Sequence, residues 1–156
     1  MPGVQRCLDE LEIPVVLARE DLSPHCRREA YAETRHPATF MKRRAMERVI
    51  SNFYGRPRHG QRRRSWKNIV SVGDSPAERL ALQDLVLRRV QRDRKGNWKD
   101  CRCKTLKLME EPNLSELTAE VIRVAQWLPG LVHHDGDVDL EVDGEDIADL
   151  MASIRV

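Results

Sequence analysis

The residues best suited to chemistry lie in one short stretch, Ile69-Val70-Ser71-Val72-Gly73-Asp74-Ser75-Pro76-Ala77-Glu78-Arg79. It reads as a buried strand, a glycine, an aspartate and an immediate helix start. In an open parallel sheet, ligands collect beyond the carboxyl ends of the strands, and Asp74 falls at such an end. Gly73 lets the chain turn sharply and leaves room for a ligand. A carboxylate there suits a hard divalent cation such as Mg²⁺, which prefers oxygen ligands. The amides of the helix start favour phosphate. Ser75-Pro76-Ala77-Glu78 has a second, structural reading. Ser75 is an N-cap, Pro76 takes the first helical position and Glu78 closes a capping box. Glu78 is thus either a cap or a second acid. Asp74 is harder to assign to structure, because a buried unpaired carboxylate is costly.

Lys42 is the second candidate. It lies four, seven and eight residues before Met46, Val49 and Ile50, on the apolar face of one helix. From that helix's N-terminal end its ammonium could reach toward Asp74 and neutralise a carboxylate or phosphate. The structural alternative is a lysine snorkelling at the rim of a core face.

The elements that must position these groups follow from hydrophobic pattern. Val4 to Leu11 reads as the end of a short helix. Ile13 to Ala18 is a continuous apolar run with β-branched residues, which predicts a strand buried on both faces, with Pro14 at its entrance. Ser23 to Pro37 is polar and holds at most a short helix. Helices are predicted from Phe40 to Tyr54 and from Pro76 to about Val90, with a second buried strand, Asn68 to Val72, between them. Gln91 to Asp100 is a polar connection, and Cys101 to Leu108 alternates as a third strand. Asn113 and Glu116 form a capping box for a helix whose apolar side holds Leu114, Leu117, Val121, Val124, Ala125 and Leu128, ended by Pro129 and Gly130. The fold class is therefore α/β, a parallel sheet with helices on both faces.

The motif order resembles the haloacid-dehalogenase-like (HAD) superfamily: a helix with an N-terminal lysine, then a strand ending in Gly73-Asp74-Ser75 with Glu78 beyond it. The runs Ile13 to Glu20, Phe40 to Ala45, Trp66 to Ser75 and Lys104 to Leu108 are closer still to an uncharacterised protist-type HAD-like family. The likeness covers most of residues 4 to 130. It implies a partial HAD-like (Rossmannoid) sheet and a phosphohydrolase-type site using Mg²⁺. By resemblance, Lys42 is the charge-stabilising motif III lysine and also binds phosphate with Ser75, while Asp74 and Glu78 are the motif IV metal ligands. HAD enzymes attack phosphorus with an aspartate in a D-x-D motif after an early strand. No such strand precedes Ile13, so the chain reads as a truncated domain, the C-terminal half, inactive alone. A missing central strand would also expose apolar sheet edges and invite association. The ligand implied is a phosphorylated small molecule or a phosphoprotein.

Composition bounds the rest. The 156 residues suit one domain, with 40% hydrophobic and 33% charged residues and a formal net charge of only +2. The charge is uneven. Arg56 to Lys67 is a basic loop within a domain over residues 1–130, and residues 131–156 form an acidic C-terminal tail, read as solvated. Arg62, Arg63 and Arg64, with Trp66 as a stacking ring, give the rival function, a non-catalytic polyanion or RNA binder. A solvated insertion is the plainer reading of that loop, and nucleic acid is the less favoured partner. No apolar run approaches the roughly 20 residues that span a bilayer, and the N-terminus lacks a signal-peptide core. An intracellular, cytoplasmic protein with free thiols at Cys7, Cys26, Cys101 and Cys103 is expected. A zinc site from Cys101, Cys103, His133 and His134 is weighed, but its spacing matches no common ligand pattern.

Overall fold

The computed structural model describes residues 2–20, 22–33, 36–54, 66–93 and 95–142. They form a mixed α/β protein with a three-stranded parallel sheet and five helices. In chain order these are α1 (Pro2–Glu10), α2 (Pro24–Glu33), α3 (Pro37–Tyr54), β1 (Asn68–Gly73), α4 (Pro76–Arg88), β2 (Gln91–Arg92), β3 (Trp98–Lys99), β4 (Arg102–Lys107), α5 (Leu114–His133) and β5 (Val138–Glu141). The sheet order is β1-β4-β5, parallel throughout, while β2 and β3 make a small separate hairpin.

Register assigns the two faces. Val70 pairs with Lys104, and Lys104 with Val138; Val72 pairs with Leu106, and Leu106 with Leu140. Side chains of paired residues share a face. This face packs on α5 through Leu106, Val138 and Leu131, with Val124 and Trp127 against them. Leu131 is 0% exposed. The opposite face holds Ile69, Ser71, Thr105 and Asp139 and packs against α4, which in turn packs on α3.

Strands β1 and β4 and helices α3 and α4 stand where pattern predicts them. Three expectations fail. Ile13 to Ala18 is not a strand: residues 13–17 belong to no helix or strand and Val15 is 60% exposed. A run of β-branched residues reports a surface suited to a sheet and not the pairing itself. The acidic stretch after α5 is not simply a solvated tail. It supplies β5, with Val138 and Val142 buried in the core, because Val138, Leu140 and Val142 alternate with acids that find cations on α4 and β4. Residues 143–156, including the weak helix expected from Ile147 to Ile154, lie outside the described residues.

The third failure concerns α5. Its Asn113–Glu116 capping box is present as expected, but the helix continues through Pro129 to His133, and its core line is different. Leu114 and Val121 are exposed. Glu120, Val124, Trp127 and Leu131 face the sheet, a helical stripe that begins on a carboxylate. Glu120 is buried because its Oε1 accepts the Met109 amide at 2.9 Å, beyond the end of β4. Lys104 is also buried, and its ammonium donates to the carbonyls of Leu131 at 2.5 Å and His134 at 2.6 Å. Burial lowers its pKa, while the negative end of the α5 dipole favours the charge. No helix among the described residues is long and apolar enough to cross a membrane.

Candidate functional site

At the carboxyl end of β1 the chain turns through Gly73, Asp74 and Ser75 into α4. Ser75 is the N-cap with extended backbone, and Pro76 follows at the helix start. The capping box expected of Ser75 and Glu78 does not form. Ser75 makes no side-chain cap bond; its hydroxyl donates instead to the Glu78 carboxylate. The other Glu78 oxygen pairs with the Lys42 ammonium. Lys42, Ser75 and Glu78 thus form one cluster, joining the start of α3 to the start of α4.

Gly73 makes this geometry fit. A Cβ at position 73 would stand 2.7 Å from Glu78 Cγ and 2.9 Å from its Cβ, so any side chain there displaces Glu78. Helical phase separates Lys42 from its neighbours. Arg43 turns to Asp84 at 2.9 Å and lies over the Phe40 ring, and Arg44 pairs with Glu47 at 3.0 Å. Only Lys42 of these three lines the cavity described next.

Asp74 departs from expectation in two respects. Lys42 pairs with Glu78 and not with Asp74. Asp74 is also exposed and has no hydrogen bond or ion pair among the described residues. The burial cost that set it apart in the sequence is therefore absent. Its position remains distinctive: an open carboxylate at the strand terminus, one residue from Ser75 and the first turn of α4.

Beside the cluster lies a cavity of about 420 Å³. Its lining includes Lys42 and Glu78 at one end, Ala45 and Met46 from α3, Ile69 and Ser71 from β1, and Val16 and Ala18 from the N-terminal segment. Lys42 and Glu78 are both partly covered, with side chains 33% and 16% exposed. Such an ion pair holds its partners less loosely than a fully solvated one.

A second polar cluster, not foreseen from sequence, ties α4 to β5. Arg79 binds Asp139 at 2.5 Å, Gln83 donates to the same carboxylate at 3.2 Å, and the Thr105 hydroxyl donates to its other oxygen. Burial opposes the Asp139 charge, but the bonds from Arg79, Thr105 and Gln83 outweigh it and lower its pKa. Lys107 pairs with Glu141 on the same side. The signal was present as alternating acids in Val138-Asp139-Leu140-Glu141, which the parallel register sets opposite Thr105 and Lys107. Without a strand assigned to the first segment, the pairing could not be read.

Cys101, Cys103, His133 and His134 do not gather into a metal-ligating group. Burial instead pushes the Cys103 thiol up to about 11. Among the described residues, the group of metal-ligating side chains close enough to share an ion is His25, Cys26 and Glu29 on α2, where the Arg44 guanidinium lies 3.9 Å from the Cys26 sulfur and opposes a cation. Arg62, Arg63 and Arg64 lie outside the described residues. Trp66, the ring offered for base stacking, is 4% exposed and belongs to the interior. No family model, curated protein or solved structure matches this chain. What the fold and cluster define is a class: an α/β protein with a charged, partly covered cluster at the carboxyl end of an edge strand.

Proposed function

We propose that this chain is a HAD-like phosphohydrolase domain that binds phosphate and Mg²⁺ at the carboxyl end of β1 and does not turn substrate over alone. The observation that carries the reading is the Lys42–Ser75–Glu78 cluster, set beside Asp74 where β1 gives way to α4. Asp74 and Glu78 would supply hard oxygen ligands to the cation. Lys42, Ser75 and the first amides of α4 would take the phosphate oxygens. The Lys42–Glu78 pair already balances one positive and one negative charge, so an anion and a cation arriving together leave that balance unchanged. The cation, when bound, draws charge from a phosphoryl oxygen.

Attack on phosphorus needs a nucleophile on the same rim. Beside the cluster the exposed carboxylate is Asp74, to which the reading gives the metal, while Glu110 and Glu141 beyond β4 and β5 pair with Lys107. The ligand is a phosphorylated small molecule or a phosphoprotein. Calorimetric titration with MgCl₂ in the presence of inorganic phosphate should show weak binding that Asp74→Asn removes. The same protein should leave an aryl phosphate intact. Binding unchanged in Asp74→Asn would refute the assignment of the site, and clear turnover would refute the inactivity.

A further inference from the structure

The two edges of β1 are in different states. On one edge the carbonyls of Lys67 and Gly73 accept the amides of Arg102 and Leu108 at 2.7 and 2.8 Å. With the parallel register to β4, this assigns the peptide groups of Ile69 and Ser71 to β4 as well. Alternation then turns the peptide groups of Asn68, Val70 and Val72 to the opposite edge. There they have no main-chain partner among the described residues. An edge of this kind is a template for another strand.

The cavity of about 420 Å³ borders β1 at Ile69, Val70 and Ser71. The rest of its lining includes Val16 and Ala18 from the N-terminal segment and Ala45 and Met46 from α3. The N-terminal apolar segment therefore lies across from β1 without joining the sheet. A cavity separates the two where a ladder would close them. The lining is apolar except for Lys42, Glu78 and Ser71, and the two charges are paired with each other.

We propose that this trench is a strand-docking site. Its occupant is an extended, uncharged, β-branched segment of a partner polypeptide, which adds to β1 as a fourth strand of the sheet. Each feature of the occupant answers an observation. The unpaired peptide groups of Val70 and Val72 require a main chain with N–H and C=O to offer, so the segment carries no proline where it pairs. The apolar lining, drawn from α3, α4, β1 and the N-terminal segment, requires side chains suited to a strand buried from more than one side. The cancelled charge of Lys42 and Glu78 gives a charged segment nothing to bind. A compact apolar ligand could fill the cavity, but it would leave the β1 edge unpaired. This proposal uses the body of β1 and not Asp74 at its end; it shares Lys42 and Glu78 with the phosphate reading, here as a closed ion pair, and protection at Val70 and Val72 is the readout that tells the two apart.

The test is amide hydrogen exchange of the full chain, read by NMR, with two synthetic probes. One is an acetylated and amidated peptide of five alternating valine and isoleucine residues with a lysine at each end. The other has the same side chains, but every main-chain nitrogen of its core is methylated. The first probe should slow exchange at Val70 and Val72 by about tenfold or more, and leave Ile69 and Ser71 as they were. The methylated twin should not. Equal binding of both probes would reduce the trench to an apolar pocket and overturn strand addition. Absence of protection with either would overturn the proposal as well. Val70 and Val72 already protected in a concentration-dependent dimer would name a second copy as the occupant and overturn the partner assigned here.

Discussion

The β4–β5 side of the sheet and the β1 edge are built from similar residues and end differently. On the first side α5 covers one face of the sheet, and Arg79, Thr105 and Gln83 hold Asp139 on the other, although β5, like β1, has one neighbouring strand among the described residues. At the β1 edge the apolar residues are present, the ladder goes no further among the described residues, and the charged groups collect at the strand's end. Stability is concentrated where apolar packing and side-chain partners are complete, and capacity to bind where they are not. The same division explains why the polar groups near β5 have partners within the chain while Asp74 has none among the described residues.

Substitutions should separate the two regions in order of effect. Leu131→Ala, at a fully buried position under β4 and β5, should cost about 3 kcal/mol in urea unfolding. A loss below roughly 1 kcal/mol would mean that α5 is not packed as described. Gly73→Ala should cost less, about 1–2 kcal/mol, because its Cβ meets Glu78 at 2.7 Å and one side chain can swing aside. Its distinguishing effect is loss of Mg²⁺ and phosphate binding while the fold persists. Retained binding would show that Glu78 need not sit against β1.

Asp139→Asn should cost about 1 kcal/mol near neutral pH, a charged hydrogen-bond network discounted for its partial exposure. The lowered pKa of Asp139 fixes the sign. Its stabilisation is complete above the unfolded value of about 4 and is lost as pH falls through the lower folded value. Wild type and Asp139→Asn should therefore converge in stability on acidification, and a gap that persists at pH 2 would contradict this. The smallest effect leaves stability untouched. With iodoacetamide at pH 8, Cys26 should be alkylated early, since the Ser23 hydroxyl and then Arg44 lower its pKa. Cys103, raised to about 11 by burial, should be alkylated last. The reverse order in peptide mapping would show that β4 opens more readily than α2.

Much of this arrangement was legible in sequence wherever periodicity and capping agreed. Asn113 with Glu116 announces α5, and Gly73-Asp74-Ser75-Pro76 announces the strand-to-helix turn. The phase of α5 was hidden because its core line begins with Glu120, which is buried for its bond to the Met109 amide, a tertiary reason that no apolar count contains. Strand β5 was hidden by its acids, though Val138, Leu140 and Val142 alternate as a strand should. Ile13 to Ala18 misled for the opposite reason: it has the composition of a buried strand but does not pair with β1, with which it shares a cavity. Lys42 was identified by helical phase, while its partner was misjudged. Only the packing of α3 against α4 brings Glu78, and not Asp74, to the ammonium.

The central claim is most directly tested by mapping amide NMR shifts during titration with MgCl₂ and inorganic phosphate together. The account predicts changes centred on Gly73, Asp74 and Ser75 that disappear in Asp74→Asn. Changes centred instead on His25, Cys26 and Glu29, or none at millimolar concentrations of both ions, would contradict it.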